Sequence, residues 1–251
     1  MKKFLRWGLI AAIWLLIWEA SARIVGQAIL IPSPLATLSI WGAMVLDPQF
    51  WLAVVFSLGR ILSGLLLGTL GGVMLAILGS LSPWWRDFFK PLLSIIRATP
   101  VASFIILALV WFSTGMVPVF ATFLIVLPLI WSNVYHGIQE TDPKLLEMAQ
   151  AFRMNRSTRL FKLYIPSVRP YFSAAITTAI GMAWKAGVAA EIICIPSQSI
   201  GQGFYNSRIH LDTVSVFAWT VTVILLSILL EKLAVFFIGR YNRSTVGGKA
   251  I

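Results

Sequence analysis

The sequence predicts an all-α, polytopic transmembrane helical bundle of about six spans, forming one domain over residues 1–251. Three observations predict this class. Hydrophobic residues make up 59% of the chain and charged residues 12%, with a mean hydropathy of +0.87, outside the range of soluble domains. The apolar residues form runs long enough to cross a bilayer. The basic residues, which give a net charge of +11, lie in the gaps between those runs.

The composition also argues against several classes of function. Basic residues confined to the gaps between apolar runs are typical of membrane topology and argue against nucleic-acid binding. The single cysteine, Cys194, excludes an internal disulfide and a cysteine-based metal cluster. A membrane-embedded enzyme would need clustered acids, bases or ligands. The candidates near membrane borders are scattered: Glu19, His136, Glu191, His210 and Glu231. We therefore expect no catalytic residue and no metal site.

The first apolar run, Trp7–Trp18, predicts a retained span that continues to about Val25. It follows Lys2, Lys3 and Arg6, and these three positive charges place the N-terminus in the cytoplasm. Ala20–Ala22 is similar to a signal-peptidase site, so a cleaved signal peptide is the alternative interpretation.

The next segment, Gln27–Gln49, contains no Lys or Arg and predicts an outer connector with a short interfacial helix. A second span follows over Leu58–Leu81, entered past Arg60, and Pro83–Lys90 is predicted to be a cytoplasmic turn. Small residues recur in this span at every fourth position: Gly64, Gly68, Gly72, Ala76 and Ser80. Such a row permits close contact with another helix, so we interpret it as a packing surface.

The third span is predicted over Pro91–Phe112 and the fourth over Met116–Tyr135. Within the third, Pro100 frees a backbone carbonyl inside the bilayer, and the Thr99 hydroxyl can compensate for it. Two interpretations stay open. The broken helix can serve as a gate near the cytoplasmic face, or it can be a packing kink.

The fifth span, predicted over Tyr171–Ile195, holds Trp184, Lys185 and Glu191 in an otherwise apolar helix. An ionisable residue in a membrane costs several kcal/mol unless it meets water or a partner, which indicates a polar route. Lys185 and Glu191 are six residues apart and so point to different sides of the helix. Lys185 suits an anionic solute, or else a structural bond to carbonyls of another helix. For Glu191 we favour a structural contact with the following loop.

The outer loop Pro196–Asp212 leads to a sixth span over Val214–Ile238. Arg240, Arg243 and Lys249 follow this span and place the C-terminus in the cytoplasm. Both termini are therefore predicted on the inner side of the membrane.

The longest polar interval, Gly137–Pro170, lies between the fourth and fifth spans. Asp142 and Pro143 form a helix-start signal. An apolar stripe follows at three- and four-residue steps: Leu145, Leu146, Met148, Ala149 and Phe152. Asn155–Ser157 predicts a turn, and a second short helix then runs towards Pro166. Because no lipid covers such a stripe, the hairpin needs a protein partner or the inner membrane face.

This interval carries a family resemblance. Glu147-Met148-Ala149, three residues, Arg153, nine residues and then Leu163-Tyr164-Ile165-Pro166 resemble the EAA loop of ABC importer permeases. The family pattern is Glu-Ala-Ala, three residues, Gly, nine residues and Ile-x-Leu-Pro. Here Met148 replaces the second Ala and Arg153 replaces the Gly. Arg97-Ala98-Thr99-Pro100 is similar to an Arg-x-x-Pro found in the nitrate, sulfonate and taurine group. Ser199–Phe204 resembles that family's Gly-Leu-Gly segment.

The resemblance implies a type I ABC importer permease fold, with 137–170 as a cytoplasmic coupling loop. It implies that the coupling residues bind an ATPase: Glu147, Met148, Ala149, Gln150, Arg153 and Arg156. The candidates for the translocation path are these: Arg97, Thr99, Pro100, Trp184, Lys185 and Glu191. The expected cargo is a small anionic or organic solute.

The implied partners are a separate ATPase subunit, an extracytoplasmic solute-binding protein, a second permease copy in a homodimer and the lipid bilayer of a prokaryotic inner membrane. No cofactor is expected on this chain, because ATP and Mg would bind the ATPase. The sequence agrees, since it has no G-x-x-x-x-G-K-[ST] loop. The alternative is a proton-coupled secondary transporter using Lys185 and Glu191. It predicts internal repeats and paired broken helices, which the sequence does not show.

Overall fold

The computed structural model describes residues 2–246, with the side chains of residues 5–240. Part of the predicted charge pattern lies outside this description: Met1, Lys249 and the side chains of Lys2, Lys3 and Arg243. All regular secondary structure in the described part is helical.

Five helical segments in the described part are long and apolar enough to cross a membrane. They are α1 (Lys2–Val25), α3 (Pro48–Leu81), α6 (Val117–Gln139), the continuous segment Arg156–Cys194 and α11 (Thr213–Val246). A sixth span results if α4 (Pro83–Ala98) and α5 (Val101–Trp111) count as one. The short helices are α2 (Pro34–Val45), α7 (Pro143–Ala151) and α10 (Ile200–Ile209). The prediction of an all-α bundle of about six spans is confirmed.

The bundle has two chemically different ends. We call the end that carries residues 139–159, together with Lys90 and Arg240, the basic end. The other end carries the connector 26–47 and the loop 195–212, and we call it the opposite end. α3 and α6 run in direct contact from the opposite end to the basic end, and the long Arg156–Cys194 segment returns along them, packed mainly on α6. These three helices form the packed centre of the chain.

The small-residue row of α3 lies against α6. A Cβ added at Gly64 would meet the Val119 carbonyl oxygen at 2.4 Å, and one at Gly68 would meet Val126 Cβ at 2.8 Å. A Cβ at Gly72 would meet Ile130 Cβ at 2.8 Å. Since such separations are shorter than van der Waals contact, α3 and α6 can approach this closely only without side chains at these positions.

We expect opposite effects from the same substitution at two glycines of α3. Gly64→Ala should destabilise the chain by about 1–3 kcal/mol, because its methyl group would collide with the α6 backbone. Gly59→Ala is the matched control: nothing lies within 4 Å of its added Cβ. It should stabilise the helix by up to about 1 kcal/mol through helix propensity. Thermal unfolding of the purified variants measures both, and equal effects would contradict the packing interpretation.

The second span begins ten residues earlier than predicted, at Pro48 instead of Leu58. Asp47 caps it by accepting a hydrogen bond from the Gln49 N–H at 2.9 Å, and Pro48 occupies the first turn. A lone arginine inside a span is unfavourable without a partner. In the structure a buried carboxylate pairs with Arg60, so the helix continues past it.

Two further boundaries differ from the prediction. Pro83–Lys90 is not a turn but the first half of α4, which Ser82 caps through the Trp84 N–H. The third span, predicted as one segment over Pro91–Phe112, is divided into α4 and α5, which meet at an angle of 106°. That angle is far larger than an ordinary proline kink, and it lies where Thr99 and Pro100 leave the helical conformation.

The fifth span begins inside the predicted coupling loop, at Arg156, not at Tyr171. α8 (Arg156–Arg159), a π turn (Leu160–Tyr164) and α9 (Ile165–Cys194) form one continuous segment of 39 residues. The predicted second short helix is therefore the basic end of the fifth span. In the π turn the Ile165 N–H donates to the Leu160 carbonyl, which carries the helix up to Pro166, a residue without an N–H.

Candidate coupling loop and transmembrane path

Four of the predicted coupling residues, Glu147, Met148, Ala149 and Gln150, lie on α7 at the basic end, and Arg153 and Arg156 follow it. Asp142 starts the helix by accepting a hydrogen bond from the Lys144 N–H at 2.9 Å. Glu147, Met148 and Gln150 are exposed, whereas Ala149 is completely buried. The Ala149 carbonyl accepts from the Met154 N–H at 2.9 Å, which folds the chain back after the helix. α7 therefore presents apolar and charged side chains outwards, with Lys144 and Glu147 both exposed, and packs through the small side chain of Ala149.

The apolar stripe of this hairpin is largely uncovered. Phe152 is 76% exposed, and Leu145 and Met148 are also exposed. An exposed apolar face of this kind marks a site of contact with a protein partner or with the membrane surface.

Arg153, at the position where the family pattern has Gly, adopts a left-handed backbone conformation with a φ of 49°. Its N–H donates to the Gln150 carbonyl at 2.9 Å, and Asn155 then caps α8 through the Thr158 N–H at 2.7 Å. The turn thus has the geometry that favours glycine, but it is formed by an arginine at a steric cost.

We expect Arg153→Gly to raise the stability of the chain by about 0.5–1 kcal/mol, because glycine adopts a positive φ without the Cβ clash. Arg153→Val should lower it, since a β-branched residue is unsuited to this conformation. Arg156→Gly removes the same charge at a position without a positive φ and should destabilise α8. Thermal unfolding distinguishes the three variants, and a loss of stability in Arg153→Gly would contradict the prediction.

The path candidates at the bend between α4 and α5 bond to neighbouring backbone. Arg97 donates to the Pro128 carbonyl of α6, and Thr99 Oγ1 donates to the Ile95 carbonyl at 2.9 Å. Pro100 is exposed and begins the turn into α5. Arg97 thus attaches the end of α4 to α6 beside the bend.

Two of the path candidates on α9 are buried in the described chain. Trp184 is 1% exposed, and its Nε1 donates to the Val223 carbonyl of α11 at 3.1 Å. Glu191 is 0% exposed. Trp184 therefore joins the fifth and sixth spans instead of lining an open surface.

Lys185 lies on the other side of α9, where one face is uncovered. This exposed stripe is formed by small, polar and apolar residues at three- and four-residue steps: Ala174, Thr178, Met182, Lys185, Ala189 and Ile192. Lys185 makes no ion pair with any side chain in the described part of the chain. An amine this far inside an apolar helix requires water or a partner.

Glu191 belongs to a polar cluster at the opposite end, which we call the outer clamp. It consists of Ser57 and Arg60 of α3, Glu191 of α9 and the backbone of residues 197–200. Ser57 Oγ donates to Glu191 Oε2 at 2.6 Å and accepts from the Ile200 N–H at 3.0 Å. Arg60 Nη1 lies 3.1 Å from Glu191 Oε1.

Arg60 extends the outer clamp to the loop after α9. Its guanidinium donates to the Ser197 carbonyl at 2.8 Å and to the Gln198 carbonyl at 3.3 Å. A Cβ at Gly201 would lie 2.2 Å from the Glu191 carbonyl oxygen, so the start of α10 packs directly on α9. The clamp thus links two spans and one loop through one ion pair and the hydrogen bonds of Ser57 and Arg60.

The sequence analysis missed Ser57 and Arg60 as members of this cluster. A usable signal was present, because an arginine and a glutamate each lay within an apolar run and buried charges are paired. Arg97 and Lys185 are not brought together in the described structure, since one bonds to α6 and the other lies on the exposed stripe.

The fold and these sites define an integral membrane transport permease, and comparisons with known proteins agree. A model of the family "Binding-protein-dependent transport system inner membrane component" matches residues 68–243. The chain belongs to this family of inner-membrane, multi-pass permeases, which are not enzymes. It is an ABC importer permease subunit.

Two relatives and one solved structure indicate its place in the family. The chain is 27% identical to the putative aliphatic sulfonates transport permease protein SsuC of Bacillus subtilis, over 84% of this chain and 76% of the relative. It is 26% identical to the nitrate import permease protein NrtB of Synechococcus elongatus, over 77% and 73%. A structure of the MetNI methionine ABC transporter has the same fold with a TM-score of 0.65 at 15% identity, covering 77% of this chain and 98% of that one. The predicted family resemblance is confirmed.

Proposed function

We propose that this chain forms, with a second copy of itself, the translocation path of an importer for a small anion. A separate ATPase binds α7 at the basic end, which faces the cytoplasm together with both termini. A solute-binding protein delivers cargo at the opposite end. The observation that carries the proposal is the uncovered apolar stripe of α7, with Glu147 exposed on the same helix, just before the start of the fifth span.

The continuity of the Arg156–Cys194 segment supplies the mechanism. Residues 156–194 form one continuous helix, and α7 is joined to its start by a short turn. A displacement of α7 by the ATPase therefore moves α9 as a rigid body. The other end of this helix carries Glu191, which belongs to the outer clamp. ATP-driven closure at one end is thereby converted into opening at the other. The chain itself carries no nucleotide, and ATP and Mg remain on the ATPase.

The proposal that the cargo is an anion rests on the positive charge of Lys185. Lys185 is the cation on the exposed stripe of α9, which we propose faces the second copy across the path. The two relatives described above are named for sulfonates and nitrate, both of which are anions. A shared path flanked by one Lys185 from each copy would attract such solutes.

The decisive test is ATP-dependent uptake by the complex, isolated with its partners and reconstituted in liposomes. Labelled nitrate and an aliphatic sulfonate are offered with the co-purifying binding protein. Uptake that requires ATP and all partners supports the proposal. Uptake by the chain alone, driven by a proton gradient without ATP, would establish the proton-coupled alternative instead.

Lys185 gives a sharper prediction for the path. Lys185→Gln should lower anion uptake about tenfold to a hundredfold, the range expected for one charge-assisted contact. Lys185→Arg should retain most uptake, because it keeps the charge. Lys232→Gln, which removes an exposed cation from α11, is the matched control and should have little effect. Equal losses in the two Gln variants would remove Lys185 from the path.

A further inference from the structure

Helix α4 has three sides of different chemistry, since residues three or four apart lie on the same side of a helix. Its covered side carries Leu93, which is 1% exposed, with Phe89 and Ile96 half-buried beside it. This side faces the bundle, where α4 packs on α3 and α6. The other two sides are exposed in the described part of the chain, and one of them is apolar and the other polar.

The exposed apolar side of α4 consists of Trp84, Phe88, Leu92 and Ile95, each of them more than half exposed. The rings of Trp84 and Phe88 stack with their centroids 5.3 Å apart, so they form one aromatic surface at the start of the helix. Large apolar side chains exposed side by side mark a contact with a partner protein or with a membrane. Tryptophan is enriched where the hydrocarbon of a bilayer meets its head groups, which favours the membrane.

The exposed polar side consists of Asp87, Lys90 and Ser94. Arg86 lies beside it and pairs with Asp87 through Nε–Oδ1 at 2.8 Å and Nη2–Oδ2 at 3.2 Å. A helix surrounded by hydrocarbon would hold these charged groups in lipid, which is costly. A helix at the membrane surface satisfies both exposed sides at once, because the apolar one meets acyl chains and the polar one meets water.

The lengths of α4 and α5 lead to the same location. The chain leaves α3 at the basic end and enters α6 at the opposite end, so α4 and α5 together cross the membrane. α5 has 11 residues and is therefore about 16 Å long, half of a hydrocarbon core of about 30 Å. α4 has 16 residues, about 24 Å, for the remaining half, so it must be strongly inclined. Its last turn reaches the middle of α6, where Arg97 bonds to the Pro128 carbonyl.

We propose that α4 is an interfacial helix that enters the inner leaflet obliquely, with Trp84 and Phe88 between the head groups and the acyl chains. The partner of its exposed apolar side is the lipid bilayer, because α4 directly follows α3, a span that is exposed up to its last residue, Leu81. The second copy proposed above lies against α9 instead. The membrane thereby holds α4, and Arg97 attaches this anchored helix to the middle of α6 beside the bend. Only the choice of the inner leaflet rests on the proposed function.

The test is the accessibility of nitroxide labels along α4 in the full-length chain, reconstituted in phospholipid vesicles alone and with its co-purifying partners. Single cysteines are introduced into a Cys194→Ala background, because Cys194 is the one native cysteine. Collisions with oxygen report on hydrocarbon, and collisions with a water-soluble nickel chelate report on water. The labels replace one residue at a time, which is Trp84, Phe88 or Ile95 on the apolar side and Asp87, Lys90 or Ser94 on the polar side.

The ratio of oxygen to nickel collisions should be at least about threefold higher on the apolar side than on the polar side, because only the polar side meets water. Equal ratios on both sides would indicate a helix surrounded by lipid and would overturn the proposal. Low collision rates with both reagents on the apolar side, in the chain or in the complex, would indicate a protein partner there. That result would overturn the proposal as well.

A pair of variants tests the aromatic anchor. Trp84→Gln/Phe88→Gln should lower the ratio at a label on Leu92 by at least about twofold, because two rings no longer hold the helix in lipid. Val110→Gln/Trp111→Gln makes the matched change at two exposed residues of α5 and should leave that ratio unchanged. An unchanged ratio in the first variant, or an equal loss in both, would contradict the anchor.

The pattern of the six label positions decides the proposal even if the first variant fails to fold. No arm of the experiment uses ATP, solute or a known orientation of the chain in the vesicle. Failure of the importer assignment is therefore recognised separately, by the uptake experiment.

Discussion

Glu147→Arg is expected to abolish ATP-driven uptake, with a loss of about a hundredfold or more, while the chain still inserts and folds. The side chain is exposed on α7 and bonds to no group in the described part of the chain. Surface substitutions of this kind usually change folding stability by no more than about 0.5 kcal/mol. Reversing a charge inside a protein interface, in contrast, can cost several kcal/mol of binding. The loss should therefore appear in coupling to the ATPase and not in the permease itself.

Glu140→Arg is the matched control, because it makes the same substitution at an exposed residue just after α6 and outside α7. It should leave uptake within about twofold of the parent. Three measurements are compared for both variants: the amount of folded chain in the membrane, co-purification of the ATPase, and uptake in proteoliposomes. Normal uptake in Glu147→Arg would remove α7 from the coupling role.

The sequence predicted those parts of the fold that depend on local chemistry. The cap at Asp142, the short helix α2 and the number of apolar runs follow from patterns within a few residues. The start of α3 could not be predicted in this way. Its continuation through Arg60 depends on Glu191, which is 131 residues away in the chain.

In the candidate site too, local features could be predicted from the sequence and features set by distant contacts could not. The hairpin motif 147–166 was recognisable because its spacing is local, and the positive φ of Arg153 lies where the family pattern places a glycine. Which side of α9 is covered was not visible in the sequence. The apolar residues around Trp184 and Lys185 look alike, yet one side chain is buried against α11 and the other is exposed. Only the packing of the other spans distinguishes them.

The ion pair of the outer clamp leads to the second large effect. Arg60→Met should destabilise the chain by about 3–5 kcal/mol, because Glu191 would remain as a buried charge without its partner. Thermal unfolding in detergent should shift downwards by about 10 °C or more. Arg60→Lys should fall between the parent and Arg60→Met, since an ammonium cannot donate in a fork to the carboxylate and two carbonyls at once.

The double variant Arg60→Met/Glu191→Met separates charge burial from loop attachment. Replacing both partners by apolar side chains removes the uncompensated charge, so most of the lost thermal stability should return. The loop should not recover, because the donors to the Ser197 and Gln198 carbonyls are still missing. Limited proteolysis at residues 197–199 should therefore remain faster than in the parent even where the unfolding temperature is restored. If the double variant is as unstable as Arg60→Met, the ion pair does not determine stability. If the loop is protected again, Arg60 does not hold it.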